Sequence, residues 1–147
     1  MYQKILLAID GSSTSNAALQ EAIRLASDQG ARLRLVHVLD FAPIDWAIEG
    51  YVEISALLDA TRRTGEQILD HATKQVENAG VAVESVLLES EGDRIPTVII
   101  EAAKNWPADL IVIGTHGRRG FSHLLMGSVA EGVLRTATVP ILLIRAA

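Results

Sequence analysis

Five short apolar runs, Ile5–Ile9, Leu33–Leu39, Val81–Leu88, Asp109–Ile113 and Val139–Ile144, constrain this chain more than any other feature. Ile5–Ile9 is wholly apolar, as expected of a strand covered on both faces, and this favours a parallel sheet. The segments between the runs carry apolar residues at helical spacing. Positions 18, 19, 22, 25 and 26 mark a first helix that Gly30 ends. Positions 54, 57, 58, 61, 65, 68, 69, 72, 76 and 79 trace one face of a long second helix that Gly80 stops. Gly65 sits inside that stripe, at a cost of about 1 kcal/mol against alanine. Ile95, Val98, Ile99, Ala102 and Ala103 mark a third helix, with Asp93 as its N-cap and Pro96 tolerated in the first turn. Ser128 to Ala137 is the fourth. Five strands alternating with four helices predict a doubly wound α/β domain around a parallel sheet.

At 147 residues the chain fits one domain, residues 1–147, without linker or repeat. No apolar window reaches the length of a membrane span, and the start, Met1-Tyr-Gln-Lys4, has no signal-peptide layout, so a cytoplasmic protein without membrane insertion is expected. The absence of cysteine excludes disulfides, thiolate catalysis and cysteine-type zinc sites. A net charge of −5 argues against nucleic acid as the partner. Arg62 and Arg63 read as a solvated helix face.

Chemistry is concentrated between the fourth apolar run and the fourth helix. Gly114-Thr115-His116-Gly117-Arg118-Arg119-Gly120 opens a connection that ends at Gly127-Ser128-Val129. Connections of this kind usually need about 2–6 residues. Its glycines permit positive φ, which lets successive N–H groups turn inward as an anion receptor. Gly127 and Ser128 then stand at a helix N-terminus, where unpaired N–H groups and the helix dipole favour a phosphate. Ser128 either bonds a phosphate oxygen or caps the helix. The alternative is a glycine-rich loop with no ligand.

The spacing Gly114-x2-Gly117-x9-Gly127-Ser128 resembles the nucleotide-binding signature of the universal stress proteins. The likeness extends from the Lys4-Ile-Leu-Leu-Ala-Ile-Asp10-Gly-Ser start to the Val139-Pro-Ile-Leu-Leu-Ile144 end. It implies a Rossmann-like sheet of order 3-2-1-4-5, in which the first and fourth strands meet where the winding reverses. Ligands of open α/β sheets sit beyond the strand C-termini at such a point. By this resemblance Asp10, Gly11 and Ser12 hold the nucleotide from one side, and Val38 reads the adenine edge through its backbone. Gly114, Gly117, Gly127 and Ser128 hold the phosphates, with Thr115 and His116 in contact and the Val129 amide adding to the helix start. The implied ligand is ATP, with AMP and cyclic AMP as alternatives, and Mg²⁺ arrives with the phosphates. The resemblance also implies a homodimer through Val139–Ile144, and a stress-response role exercised through an unidentified regulatory partner. An apolar last strand carrying Pro140 suits a covered sheet edge.

Other readings of individual residues stay open. Asp10 also fits a turn or N-cap aspartate. The loop from Asp40 to Gly50, with Phe41, Pro43 and Trp46, either walls the pocket or fills a local gap. Arg118 and Arg119 either clamp phosphates or point to water. His37 reads as a satisfied core histidine and His71 as exposed, while His116 and His123 show no ligand spacing, so no protein-held metal is expected. No nucleophile elbow and no phosphate-loop lysine are present, and no base is evident to aim water. Fast ATP hydrolysis is therefore not expected. A slow ATP-hydrolysing or nucleotidyl-cleaving enzyme, and a nucleotide-free dimeric interaction protein, are the rival readings.

Overall fold

The computed structural model describes residues 1–40, 54–90, 92–116 and 126–145. The elements among these residues, in chain order, are β1 (Lys4–Ala8), α1 (Ser13–Gln29), β2 (Arg32–Leu39), α2 (Ile54–Asn78), β3 (Val83–Glu89), α3 (Ile95–Asn105), β4 (Leu110–Gly114), α4 (Ser128–Thr136) and β5 (Ile141–Ile144). The strands form one sheet in the order β3-β2-β1-β4-β5. Every neighbouring pair is parallel, with Leu7 beside Leu35 on one side and beside Val112 on the other.

The two faces of the sheet bury two separate apolar layers. Ile5, Leu7, Leu33, Leu35 and Val112 lie with Leu19 and Ala22 of α1 and Leu69 and Val76 of α2. Leu6, Val36, Val38, Ile111 and Ile113 lie with Ile99 and Ala103 of α3 and Val133 of α4. Consecutive strand residues thus alternate between layers, and both sets are apolar because helices cover both faces.

Helix boundaries follow capping chemistry. Helix α1 begins earlier than its apolar stripe suggests, because Ser12 Oγ accepts from the Ser15 amide at 3.1 Å. It ends where Gly30 adopts φ 66°, and the Ala31 amide reaches back to the Ala26 carbonyl at 2.9 Å. The expectation for Asp93 is corrected. The N-cap of α3 is Arg94, which makes no side-chain cap bond, while Pro96 does occupy the first turn. Asp109 is likewise outside its strand. Its carboxylate accepts from the Gln3 and Lys4 amides at 2.8 and 3.1 Å, tying the start of β1 to the start of β4.

Glycines let helices approach the sheet and one another. A Cβ at Gly65 would stand 2.9 Å from His37, Leu39 and Leu87. A Cβ at Gly132 of α4 would stand 2.5 Å from Pro96 of α3. The helical stripe through Gly65 is therefore a packing face, and the missing side chain sets how closely α2 lies on β2 and β3.

Candidate functional site

The exits of β1 and β4 meet at the C-terminal edge of the sheet, where the winding changes direction. Along β1 the ladder to β2 continues one step past the strand, with the Ile9 amide donating to the Val36 carbonyl at 2.9 Å. The chain then turns at Asp10-Gly11-Ser12. Asp10 Oδ1 accepts from the Ser12 amide at 2.9 Å, and the Asp10 amide donates to Oγ of Ser15 at 3.1 Å. Ser15 is buried at 5% exposure, so this bond anchors the turn to the interior. Gly11 has φ 81°, a conformation that would strain a residue with a side chain. Asp10 is thus a turn-forming aspartate that is half-buried at the crevice, and Ser12 is the cap.

Strand β4 delivers the second loop. The Thr115 amide donates to the Ile144 carbonyl at 2.9 Å, extending the β4–β5 ladder past Gly114. Thr115 Oγ1 lies 3.0 Å from Nδ1 of His116. The chain returns at Met126, and the Gly127 amide donates to the Thr115 carbonyl at 2.6 Å. That bond closes the neck of the connection and sets Gly127 as the N-cap of α4. The first intrahelical bond is from the Glu131 amide to the Gly127 carbonyl at 3.0 Å. The amides of Ser128 and Val129 precede it, in the turn where a helix has no internal partner for its N–H groups.

The expectation that loop glycines serve through positive φ is corrected at two positions. Gly127 has φ −61°, and Gly114 is an ordinary strand residue. Gly114 is required for a different reason. A Cβ there would stand 2.7 Å from Cγ2 of Thr14 in the first turn of α1. Its bareness lets α1 close against β4, which draws the Asp10 turn towards the Thr115 neck. Gly117, Arg118, Arg119, Gly120, His123 and the stretch 41–50 lie outside the described residues.

Val38, near the end of β2, is buried at 9% exposure. His37 beside it is half-buried, and its Nδ1 lies 2.8 Å from the Ile9 carbonyl. The reading of His37 as a satisfied interior histidine therefore holds, but its partner is the backbone at the β1 exit. Periodicity could not reveal that pairing, although a histidine within the apolar C-terminal half of β2 was a visible anomaly. The stretch from Asp10 to Ser15 reads as turn and helix-cap residues, but nothing in it singles out Ser15 Oγ as the acceptor of the Asp10 amide. His71 is exposed. Among the described residues no cluster of three or more His, Asp or Glu side chains could hold a metal ion. A groove of about 240 Å³ opens beside Gly11, between α1 and α2. Another of about 370 Å³ runs between α3 and α4, with Ser128, Arg94 and Arg135 on its walls.

Comparison with known proteins agrees with this architecture. Residues 1–145 match the profile of the universal stress protein family. A universal stress protein of Methanocaldococcus jannaschii is 36% identical, over 99% of this chain and 83% of its own length. The crystal structure of a universal stress protein family member from Burkholderia pseudomallei superposes with TM-score 0.78 at 39% identity, covering 99% of this chain and 97% of that one. The universal stress protein from Archaeoglobus fulgidus, solved in complex with dAMP, superposes with TM-score 0.72 at 26% identity over 97% of this chain and 98% of its own. With its sheet order, its glycine-spaced connection and a family match along nearly its whole length, the chain belongs to the universal stress protein family.

Proposed function

We propose that this chain binds an adenine nucleotide, ATP with its Mg²⁺, between the β1 and β4 exits, and acts as a homodimeric regulatory module. The observation that supports this reading is the pairing of β1 with β4 and the close approach of Gly114 to Thr14, which set the Asp10-Gly11-Ser12 turn beside the strand that leads into the Thr115–Gly127 neck. The dAMP held by the Archaeoglobus fulgidus relative supports an adenine ligand.

In this reading the Ser128 and Val129 amides and the Ser128 hydroxyl receive phosphate oxygens, aided by the dipole of α4. Gly117 lends its backbone to the same receptor. Because the Gly127 amide is engaged by Thr115, Gly127 contributes by starting the helix, and Gly114 by letting α1 approach. Thr115 and His116 border the phosphates. Asp10, Gly11 and Ser12 hold the ribose side, and Val38 addresses adenine through its main chain. In this reading the cation arrives already held by the phosphates, and the Asp10 carboxylate at the β1 exit receives it through water.

The dimer forms through β5. That strand is at the sheet edge, is four residues long, and leaves Leu142 36% exposed. An apolar edge is a template for pairing, and a two-fold contact closes it. No helix among the described residues is long and apolar enough to cross a membrane. A cytoplasmic module of one domain, in which nucleotide occupancy orders the β4–α4 connection for a partner to read, is the form this function takes.

The test is native mass spectrometry of the purified chain, followed by thermal denaturation with and without ATP and Mg²⁺. A co-purifying adenine nucleotide and an ATP-dependent rise in melting temperature are expected. No rise at millimolar ATP would favour the nucleotide-free reading. Stoichiometric phosphate release within a single turnover, far above the spontaneous rate, would favour the enzyme.

A further inference from the structure

The backbone of β2 alternates its partners, and this alternation isolates one amide. Arg32 donates to Gln3 at 2.9 Å and Val36 accepts from Ile9 at 2.9 Å, so even-numbered residues of β2 face β1. Leu33 donates to Ala82 at 2.9 Å and Leu39 accepts from Ser90 at 3.4 Å, so odd-numbered residues face β3. The amide of Val38 therefore faces the β1 exit. In a parallel ladder the rung after Ile9 N–H to Val36 O runs from the Val38 amide to the Ile9 carbonyl. Among the described residues that rung is absent, and the ladder stops at Ile9.

The Ile9 carbonyl is taken instead by His37. A carbonyl can only accept, so Nδ1 carries the proton in this 2.8 Å contact. The ring is given its place by Gly65, where any Cβ would stand 2.9 Å from His37 Cδ2. Two residues that look unrelated in the sequence, a glycine inside a long helix and a histidine inside an apolar strand, thus combine to draw off one carbonyl.

We infer that His37 is a positioning residue for an adenine subsite: by taking the Ile9 carbonyl it leaves the Val38 amide and carbonyl, which have no partner among the described residues outside the strand ladders, as a donor and acceptor at the crevice. This rests on the reading of Val38 given above and goes beyond it by naming what keeps its main chain available. A buried backbone N–H without a partner is costly, so the site is primed for a ligand that supplies an acceptor. Adenine offers an acceptor ring nitrogen beside a donor amino group, which complements one N–H and one C=O. Guanine presents the reverse order on the same edge, so the subsite discriminates against it.

Two measurements test this, and the first needs no ligand. In the nucleotide-free chain, hydrogen exchange read by NMR should show the Val38 amide exchanging at least about tenfold faster than that of Val36, and slowing when ATP is added. In His37→Leu the released carbonyl should re-form the rung, so the Val38 amide becomes protected without ligand. The second measurement is affinity. His37→Leu should weaken ATP about tenfold and reduce the preference for ATP over GTP, while binding of inorganic tripolyphosphate is unchanged. His37→Asn, whose side-chain amide can donate where Nδ1 does, should restore most of the loss. A Val38 amide as protected as Val36 in the free wild-type chain would overturn the inference. So would an unaltered ATP-to-GTP preference in His37→Leu. If the wild-type chain binds no ATP at all, the functional reading fails, and the exchange contrast still decides what His37 does to the ladder.

Discussion

Gly114, the last residue of β4, lies so close to Thr14 in the first turn of α1 that a Cβ would stand 2.7 Å from Thr14 Cγ2. The first glycine of the spaced signature thus acts by admitting a neighbouring helix. Gly114→Ala should destabilise the fold by about 1–3 kcal/mol, the usual cost of overpacking. Thr14→Ser removes the methyl group in the way, so the double variant should recover part of the loss. Denaturant unfolding of the four proteins in a double-mutant cycle measures the coupling.

Gly65 invites a similar test with a sign that helix propensity alone gets wrong. Replacing an interior helical glycine with alanine normally stabilises by about 1 kcal/mol. Here the added methyl meets His37, Leu39 and Leu87 at 2.9 Å each. Gly65→Ala should therefore lower the melting temperature by several degrees. A stabilised Gly65→Ala variant would mean that α2 can move off the sheet without penalty.

Much of this architecture was legible in the sequence because burial on both faces leaves a signature. Ile5–Ile9 and Asp109–Ile113 have no polar alternation, and the helices between the strands carry clear stripes. The site was legible less evenly. Its spacing singled out the β4–α4 connection as the candidate, since glycines and a helix start are local features. What stayed hidden depends on residues far apart in the chain. Nothing near Gly114 announces Thr14, and nothing near His37 announces Ile9. Asp93 and Asp109 show the same limit at element ends. Both sit where a cap or a strand residue fits locally, yet Asp109 serves the amides of Gln3 and Lys4 on another strand.

Asp10 separates a structural role from a binding role. Its Oδ1 accepts from the Ser12 amide at 2.9 Å, and an asparagine retains that acceptor. Asp10→Asn should keep wild-type stability, while Asp10→Ala should lose about 1 kcal/mol through the turn and cap. If the charge faces ribose or the phosphate-bound cation, Asp10→Asn weakens ATP while melting as the wild type does. Unfolding curves and ATP titrations of the two variants distinguish these effects.

A charged cluster at the opposite part of the sheet makes stability depend on acid. Arg34 Nη2 lies 3.0 Å from Glu84 Oε2, and its guanidinium stacks 4.8 Å from the centre of the Trp106 ring. The hydrogen bond from Arg34 holds the Glu84 carboxyl below its ordinary value of 4.5, against a smaller opposing effect of burial. A depressed folded-state value means that the charged form stabilises the fold. That contribution is complete above 4.5 and fades as pH falls through the lower folded value. Glu84→Gln should therefore be less stable than wild type at neutral pH, by under about 1 kcal/mol for a half-exposed pair. The difference should shrink towards pH 3 in paired melting curves.

The proposed dimer is tested at Leu142, which is 36% exposed on the edge strand. Leu142→Lys should shift the chain from dimer to monomer in light scattering without altering its circular dichroism. A dimer that survives this charge would place the contact elsewhere.

The central claim is that backbone amides at the β4–α4 connection receive a phosphate chain, and calorimetric titration of ATP and Mg²⁺ tests it most directly. Wild type should bind one nucleotide per chain. Gly117→Val should lose that binding while unfolding at the wild-type midpoint. Undiminished affinity in a folded Gly117→Val variant would contradict the account.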